Sequence, residues 1–150
     1  MKLKIIRIFM LEIIAIVFIM SSCDPADNRL KLVNNSNTDI YFFYSCDTLL
    51  NNLDMFKSGY YYDSKGDSTY ISSNHFIEKK TFRNIPNRGF NAWKHYLNNC
   101  KDQKIYFFIF NDSIVSKYSY DEIRDKRLFE KCLIYTLNDL KQNNWTITYP

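Results

Sequence analysis

Two histidines and four cysteines are the side chains of this 150-residue chain with the most chemistry open to them, and their spacing limits what they can do. His75 and His95 stand apart, without the paired spacing on one helix face that a zinc site uses, and zinc needs three or four clustered ligands. The sequence has no Cys-x-x-Cys, glycine-rich phosphate loop or nucleophile elbow. Asp121 and Glu122 follow Ser119 at capping-box spacing, so they satisfy the first amides of a helix and do not form a carboxylate pair for acid–base work. Nothing assembles a nucleophile, a base and an orienting group, which leaves a non-catalytic protein without cofactor or metal as the leading reading. The alternative is a small hydrolase or metal-dependent enzyme using His75 or His95.

Cys23 is the cysteine whose surroundings are specific. Lys2, Lys4 and Arg7 form a basic start, and Ile13 to Met20 form an apolar run of eight residues, as a cleavable export signal requires. A spanning helix needs about 20 apolar residues, and Glu12 interrupts any longer run. Met20-Ser21-Ser22-Cys23 resembles the bacterial lipobox: a bulky apolar residue, two small residues that fit the signal peptidase, and a cysteine whose sulfur accepts a diacylglyceryl group. That resemblance implies cleavage before Cys23 and a lipidated N-terminus, and two or more acyl chains hold a protein stably on a membrane.

The chain therefore divides into a signal peptide (residues 1–22), a lipidated N-terminus with a short polar linker (23–28) and one globular domain (29–150). The signal takes three of the 20 basic residues and one of the 16 acidic ones with it, so the mature part is nearly neutral, with no Lys/Arg cluster for nucleic acid. Beyond Cys23 the cysteines are Cys46, Cys100 and Cys132, one pair and one remainder with three pairings open. Cys132 sits in an apolar run as a small buried hydrophobe, which nominates Cys46 and Cys100 as the candidate disulfide.

The elements that position these residues are short. Twelve Tyr, twelve Phe and only three Gly and three Pro favour a sheet-containing domain. Leu30–Val33 and Asp39–Ser45 read as strands joined in a hairpin-like opening, the second interior because both its faces are apolar. Asp47–Phe56 has helical spacing, Ser58–Tyr70 has no period and reads as a long loop, and His75–Asn84 alternates as an edge strand. Pro86–Gly89 suits a type I turn before a helix that carries Phe90, Trp93 and Leu97 on one face. Gln103–Phe110 is the central strand, with Ile114 and Val115 extending its pattern past a turn. Ser119 caps a helix, Cys132–Tyr135 is a strand, Thr136 caps another helix, and Trp145, Ile147 and Tyr149 share one side of a closing strand. The expected class is α+β: a mostly antiparallel β-sheet with two to four short helices packed on it.

Asp139 to Pro150, together with Val33-Asn34-Asn35-Ser36, Asp39-Ile40-Tyr41 and the lipobox, resembles small uncharacterised lipoproteins of Bacteroidetes-type bacteria, and Ile105 to Asp112 resembles them weakly. The resemblance implies an address in the cell envelope, at the outer membrane, and no active site. Asp24 and Asp27 match in part the acidic signal that sends such lipoproteins to the cell surface. Asp47-Thr48-Leu49, Asp67-Ser68-Thr69 and Asp112-Ser113-Ile114 look like the O-glycosylation acceptor pattern of that group, with Ser68 the most accessible candidate.

Tyr60, Tyr61, Tyr62 and Tyr70 lie on the expected loop, where tyrosines offer large contact area at low entropy cost. They are the candidate surface for a protein or glycan partner, and the plainer alternative is packing onto their own domain. The expected function is a membrane-anchored envelope lipoprotein acting as a binding or structural module.

Overall fold

The computed structural model describes residues 25–50, 59–62, 68–71 and 75–150. Its strands are β1 (Ala26–Asp27), β2 (Lys31–Asn34), β3 (Ile40–Ser45), β4 (Gly59–Tyr62), β5 (Ser68–Ile71), β6 (Phe76–Ile77), β7 (Phe82–Asn84), β8 (Asn87–Arg88), β9 (Lys104–Asn111), β10 (Lys131–Thr136) and β11 (Thr146–Tyr149). The helices are α1 (Ala92–Asn99), α2 (Asp112–Lys117), α3 (Tyr120–Lys126) and α4 (Leu137–Gln142). The signal segment and Cys23 lie outside the described residues.

β9 organises the core because its apolar side chains go both ways. Ile105, Phe107 and Ile109 bury on one face of a four-stranded antiparallel sheet of order β10-β9-β3-β6, and Tyr106, Phe108 and Phe110 bury on the other. β3 does the same: Phe42 joins the first cluster and Phe43 the second, opposite Phe108 in register. The first face packs against Leu32, Ile147 and Tyr149 of a three-stranded sheet, Trp93 and Leu97 of α1, and Leu140 of α4. The second packs against Ile123 of α3 and the half-buried Ile114 and Val115 of α2. In the three-stranded sheet, of order β11-β2-β7, β2 runs parallel to β11 and antiparallel to β7. Mostly antiparallel strands with four short helices among the described residues make this an α+β fold.

The expected opening hairpin does not form, because β2 and β3 belong to different sheets. Asn34 braces the crossover. Its fully buried side chain donates from Nδ2 to the carbonyls of Thr38, Ile77 and Glu78, and its Oδ1 accepts from the amide and hydroxyl of Ser36. One amide thus closes a tight turn and ties the end of β2 to the strand beside β3, satisfying donors and acceptors that burial would otherwise leave costly.

Other expectations shift for local reasons. His75–Asn84 breaks at Lys80, whose φ of 59° ends one pairing, and yields two edge strands in separate sheets, β6 and β7. Pro86–Gly89 is not a type I turn: Asn87 and Arg88 pair with Asp27 and Ala26. Phe90 falls outside α1 and is 78% exposed, while Trp93 and Leu97 are buried as expected. Ile114 and Val115 sit in helix α2, whose first turn Asn111 caps with Oδ1 2.9 Å from the Ile114 amide. Ser119 and Thr136 cap α3 and α4 in capping boxes completed by Glu122 and Asp139. Trp145 precedes β11 with φ 58°, leaving Ile147 and Tyr149 as its buried pair.

Asp47–Leu50 is not helical, and the rest of the expected helix there lies outside the described residues. The expected loop from Ser58 to Tyr70 instead holds an antiparallel hairpin, β4 with β5, in which Tyr60 is opposite Tyr70 and Tyr62 opposite Ser68. Tyr, Thr and Ile favour such pairing even where no period shows.

Candidate functional site

A cleft of about 460 Å³ is lined by Phe42 and Tyr44 of β3, His75 just before β6, Arg83 and Asn84 of β7, and Ile85 and Pro86. Strand alternation puts Phe42 and Tyr44 on the same face of β3. Tyr44 stands edge-on to Trp93 and Tyr96, with ring centroids 5.4 and 6.0 Å away, so the cleft wall continues into the core through aromatic contacts.

His75 is held by the strand beside it. Its carbonyl accepts from the Phe42 amide, and its Nδ1 lies 3.0 Å from the Phe42 carbonyl oxygen, which only accepts, so Nδ1 carries the proton. Burial pushes the imidazole pKa below its ordinary value, the Phe42 carbonyl pulls the other way, and the charge of Arg83 adds to the lowering. The ring is therefore neutral near pH 7. Burial raises the Tyr44 phenol and pushes Tyr96 up to about 12, so both remain neutral donors. The cleft thus offers aromatic walls, neutral hydrogen-bonding groups and a guanidinium, and among the described residues its lining contains no carboxylate and no thiol. Aromatic faces beside a guanidinium can hold a hydroxyl-rich or anionic group.

A second arrangement lies where the domain begins. Residues assigned to the linker contribute β1, and the Asp27 side chain, 3% exposed, accepts from Arg29 Nε at 2.8 Å and Nη2 at 2.7 Å, and from the Trp93 amide at 3.2 Å. Asn91 precedes α1 but has φ 54° and makes no side-chain cap. Asp27 serves instead, placing a carboxylate at the helix start where free amides and the helix dipole favour negative charge. Arg29 also donates to Asn91 Oδ1 at 3.1 Å and lies 4.3 Å above the Trp145 ring. The hydrogen bond from Arg29 holds the Asp27 carboxyl below the usual carboxylate range against the opposing effect of burial. The chain following Cys23 is thereby clamped to α1 and to the start of β11.

The sequence-nominated residues fall in several places. Cys46 and Cys100 form a disulfide with Cα atoms 4.9 Å apart, joining the end of β3 to the end of α1. Cys132 is a free thiol and is half-buried rather than buried. His95 is exposed on α1, away from the cleft lining that includes His75, and the described residues contain no group of three or more His, Cys, Asp or Glu able to hold a metal. Ser68 is on β5 rather than a loop, while Thr48 and Ser113 are exposed, with Ser113 Oγ donating to Asn111 Oδ1. Asp27, nominated as part of a surface-export signal, is engaged in the fold. Sequence reasoning missed Arg83, Tyr44 and the Asp27 clamp, since Arg83 and Tyr44 carry no local pattern and the Trp93 amide that Asp27 caps lies 66 residues away. Among the described residues no helix is long and apolar enough to cross a membrane.

Comparison with protein-family models, with curated proteins and with solved structures finds no match to this chain.

Proposed function

We propose that the chain is a cell-envelope lipoprotein, held at the outer membrane by a lipid on Cys23, whose domain is a non-catalytic binding module for a protein or glycan partner. The observation that carries this reading is the lipobox, Met20-Ser21-Ser22-Cys23, placed two residues ahead of Pro25, where the described fold begins. A cleaved and lipidated Cys23 needs little intervening tether, because Asp27 and Arg29 already fasten the chain to α1. The resemblance of the C-terminal segment and the lipobox to Bacteroidetes-type lipoproteins agrees with that address.

For the binding role, the cleft at Tyr44, His75 and Arg83 supplies aromatic walls and a cation, the chemistry that sugar rings and carboxylates select. The β4–β5 hairpin with Tyr60, Tyr61, Tyr62 and Tyr70 is a second contact element. The hydrolase alternative is less favoured, because among the described residues lining the cleft no carboxylate or thiol stands beside His75.

Cell fractionation tests the anchoring. The native chain is expected in the membrane fraction and a Cys23→Ser variant in the soluble fraction or uncleaved, with protease treatment of whole cells reporting which side the domain faces. A Cys23→Ser protein that is processed and stays on the membrane like the native one would refute the reading.

A further inference from the structure

We propose that the turn Gly89–Asn91 is a membrane-facing edge, with Phe90 entering the phospholipid headgroup layer of the bilayer that holds the Cys23 lipid and Arg88 beside it meeting the phosphates. The inference rests on the anchoring reading and extends it from attachment to orientation.

Phe90 is 78% exposed, against 52 to 56% for Leu49, Phe82 and Ile134, the other large apolar side chains exposed among the described residues. A single exposed apolar residue is ordinary in itself, and its position is what gives it meaning. The Gly89 amide donates to the Pro25 carbonyl at 3.1 Å, and Ala26 is opposite Arg88 in register. Pro25–Arg29 and Gly89–Asn91 line one groove of about 260 Å³. Phe90 is thus built against the residues that emerge from the lipidated cysteine.

The reach of the chain then decides how far this edge can stand from the bilayer. Pro25 is two residues from Cys23, and two extended residues span at most about 7 Å. The headgroup layer on each side of a bilayer is roughly 5–8 Å thick. A tether no longer than that layer holds Pro25 and its neighbours at the headgroups and leaves no room for an intervening partner.

The turn is also braced. Gly89 with φ 106° and Asn91 with φ 54° set the backbone on either side of Phe90, and Asn91 is fixed through Arg29 to Asp27. The ring is therefore presented outward by a braced turn. Charge agrees with the surface: Asp27 is paired with Arg29, and exposed Arg88 faces anionic headgroups with Asp24 as the acidic neighbour in sequence.

The test uses the lipidated full-length protein in phosphatidylcholine vesicles with or without bromine on the first carbons of the acyl chains, next to the headgroups, where it quenches a tryptophan seated in that layer. Phe90→Trp adds a reporter at the turn, and Ile134→Trp adds one on β10 of the four-stranded sheet. Bromine is expected to cut the added emission of Phe90→Trp at least twofold and to leave that of Ile134→Trp unchanged. Equal emission from Phe90→Trp in both vesicles, with its N-terminal peptide verified as lipidated, would overturn the orientation and leave the anchoring standing. An unlipidated Cys23 would overturn both. Hydroxyl-radical labelling of the unsubstituted protein gives an independent readout: Phe90 is expected to be protected severalfold on vesicles relative to Phe82, and equal labelling would overturn the proposal.

Discussion

Replacing Asp27 by Ala removes the residue through which the start of the domain is fastened to α1. The magnitude follows from the two interactions lost. The bidentate pair with Arg29 has short bonds of 2.7 and 2.8 Å, but the Arg29 side chain is 42% exposed, so after solvent screening the pair contributes about 1 kcal/mol. The Trp93 amide loses its acceptor at a buried helix start, which costs roughly 1–2 kcal/mol. Asp27→Ala should therefore destabilise the domain by about 2–3 kcal/mol, and Asp27→Asn, which keeps an oxygen acceptor for Trp93, by about 1 kcal/mol. Urea unfolding followed by the emission of buried Trp93 measures both. The pH dependence has a definite sign. The folded-state pKa of Asp27 is lowered from 3.8, first by the Arg29 hydrogen bond, so its contribution is full above 3.8 and disappears as pH falls through the folded value. The gap between native and Asp27→Ala stability should accordingly narrow in acid below 3.8, toward the difference between Asp27→Asn and Asp27→Ala, because a protonated carboxyl still offers the Trp93 amide an oxygen. A substitution cost under about 0.5 kcal/mol at neutral pH, or a gap that does not narrow in acid, would refute the clamp.

Reducing the Cys46–Cys100 disulfide, or replacing Cys100 by Ser, releases a loop with a sequence separation of 54 and should lower stability by about 4 kcal/mol in urea melts of oxidised and reduced protein. Asn34→Ala leaves the carbonyls of Thr38, Ile77 and Glu78 and the Ser36 groups without their buried partner, and a loss of about 3 kcal/mol is expected in the same assay. His75 has a folded pKa below its ordinary 6.5, so native stability should decline as pH falls from 6.5 toward the folded value. A His75→Gln variant should lose that slope in urea midpoints collected across the pH range.

Periodicity and capping chemistry made much of the architecture readable. The two-sided apolar run of β9, the Trp93 and Leu97 spacing and the Ser119 and Thr136 caps are each written in consecutive residues, and the structure has them in place. Sheet partnership was not readable. Nothing local to Asn34 announces that its side chain reaches Ile77 and Glu78, where it braces the crossover that leaves β3 in a different sheet from β2. Asn91 illustrates the same limit at a helix start: it has the residue type of a cap, yet Asp27 from far upstream caps the helix instead. The cleft is built on such distant contacts, with Tyr44, His75 and Arg83 drawn from three separate segments. Ile114 and Val115 were misread because β-branched residues favour strands, while the Asn111 side chain captured the Ile114 amide and started a helix.

The measurement closest to the central claim is the mass of the N-terminal peptide of the membrane-bound protein. The account predicts a peptide that begins at Cys23 and carries a diacylglyceryl group and a further acyl chain. A peptide that continues unbroken through Met20-Ser21-Ser22-Cys23, or one that begins at Cys23 with a free thiol, would contradict it.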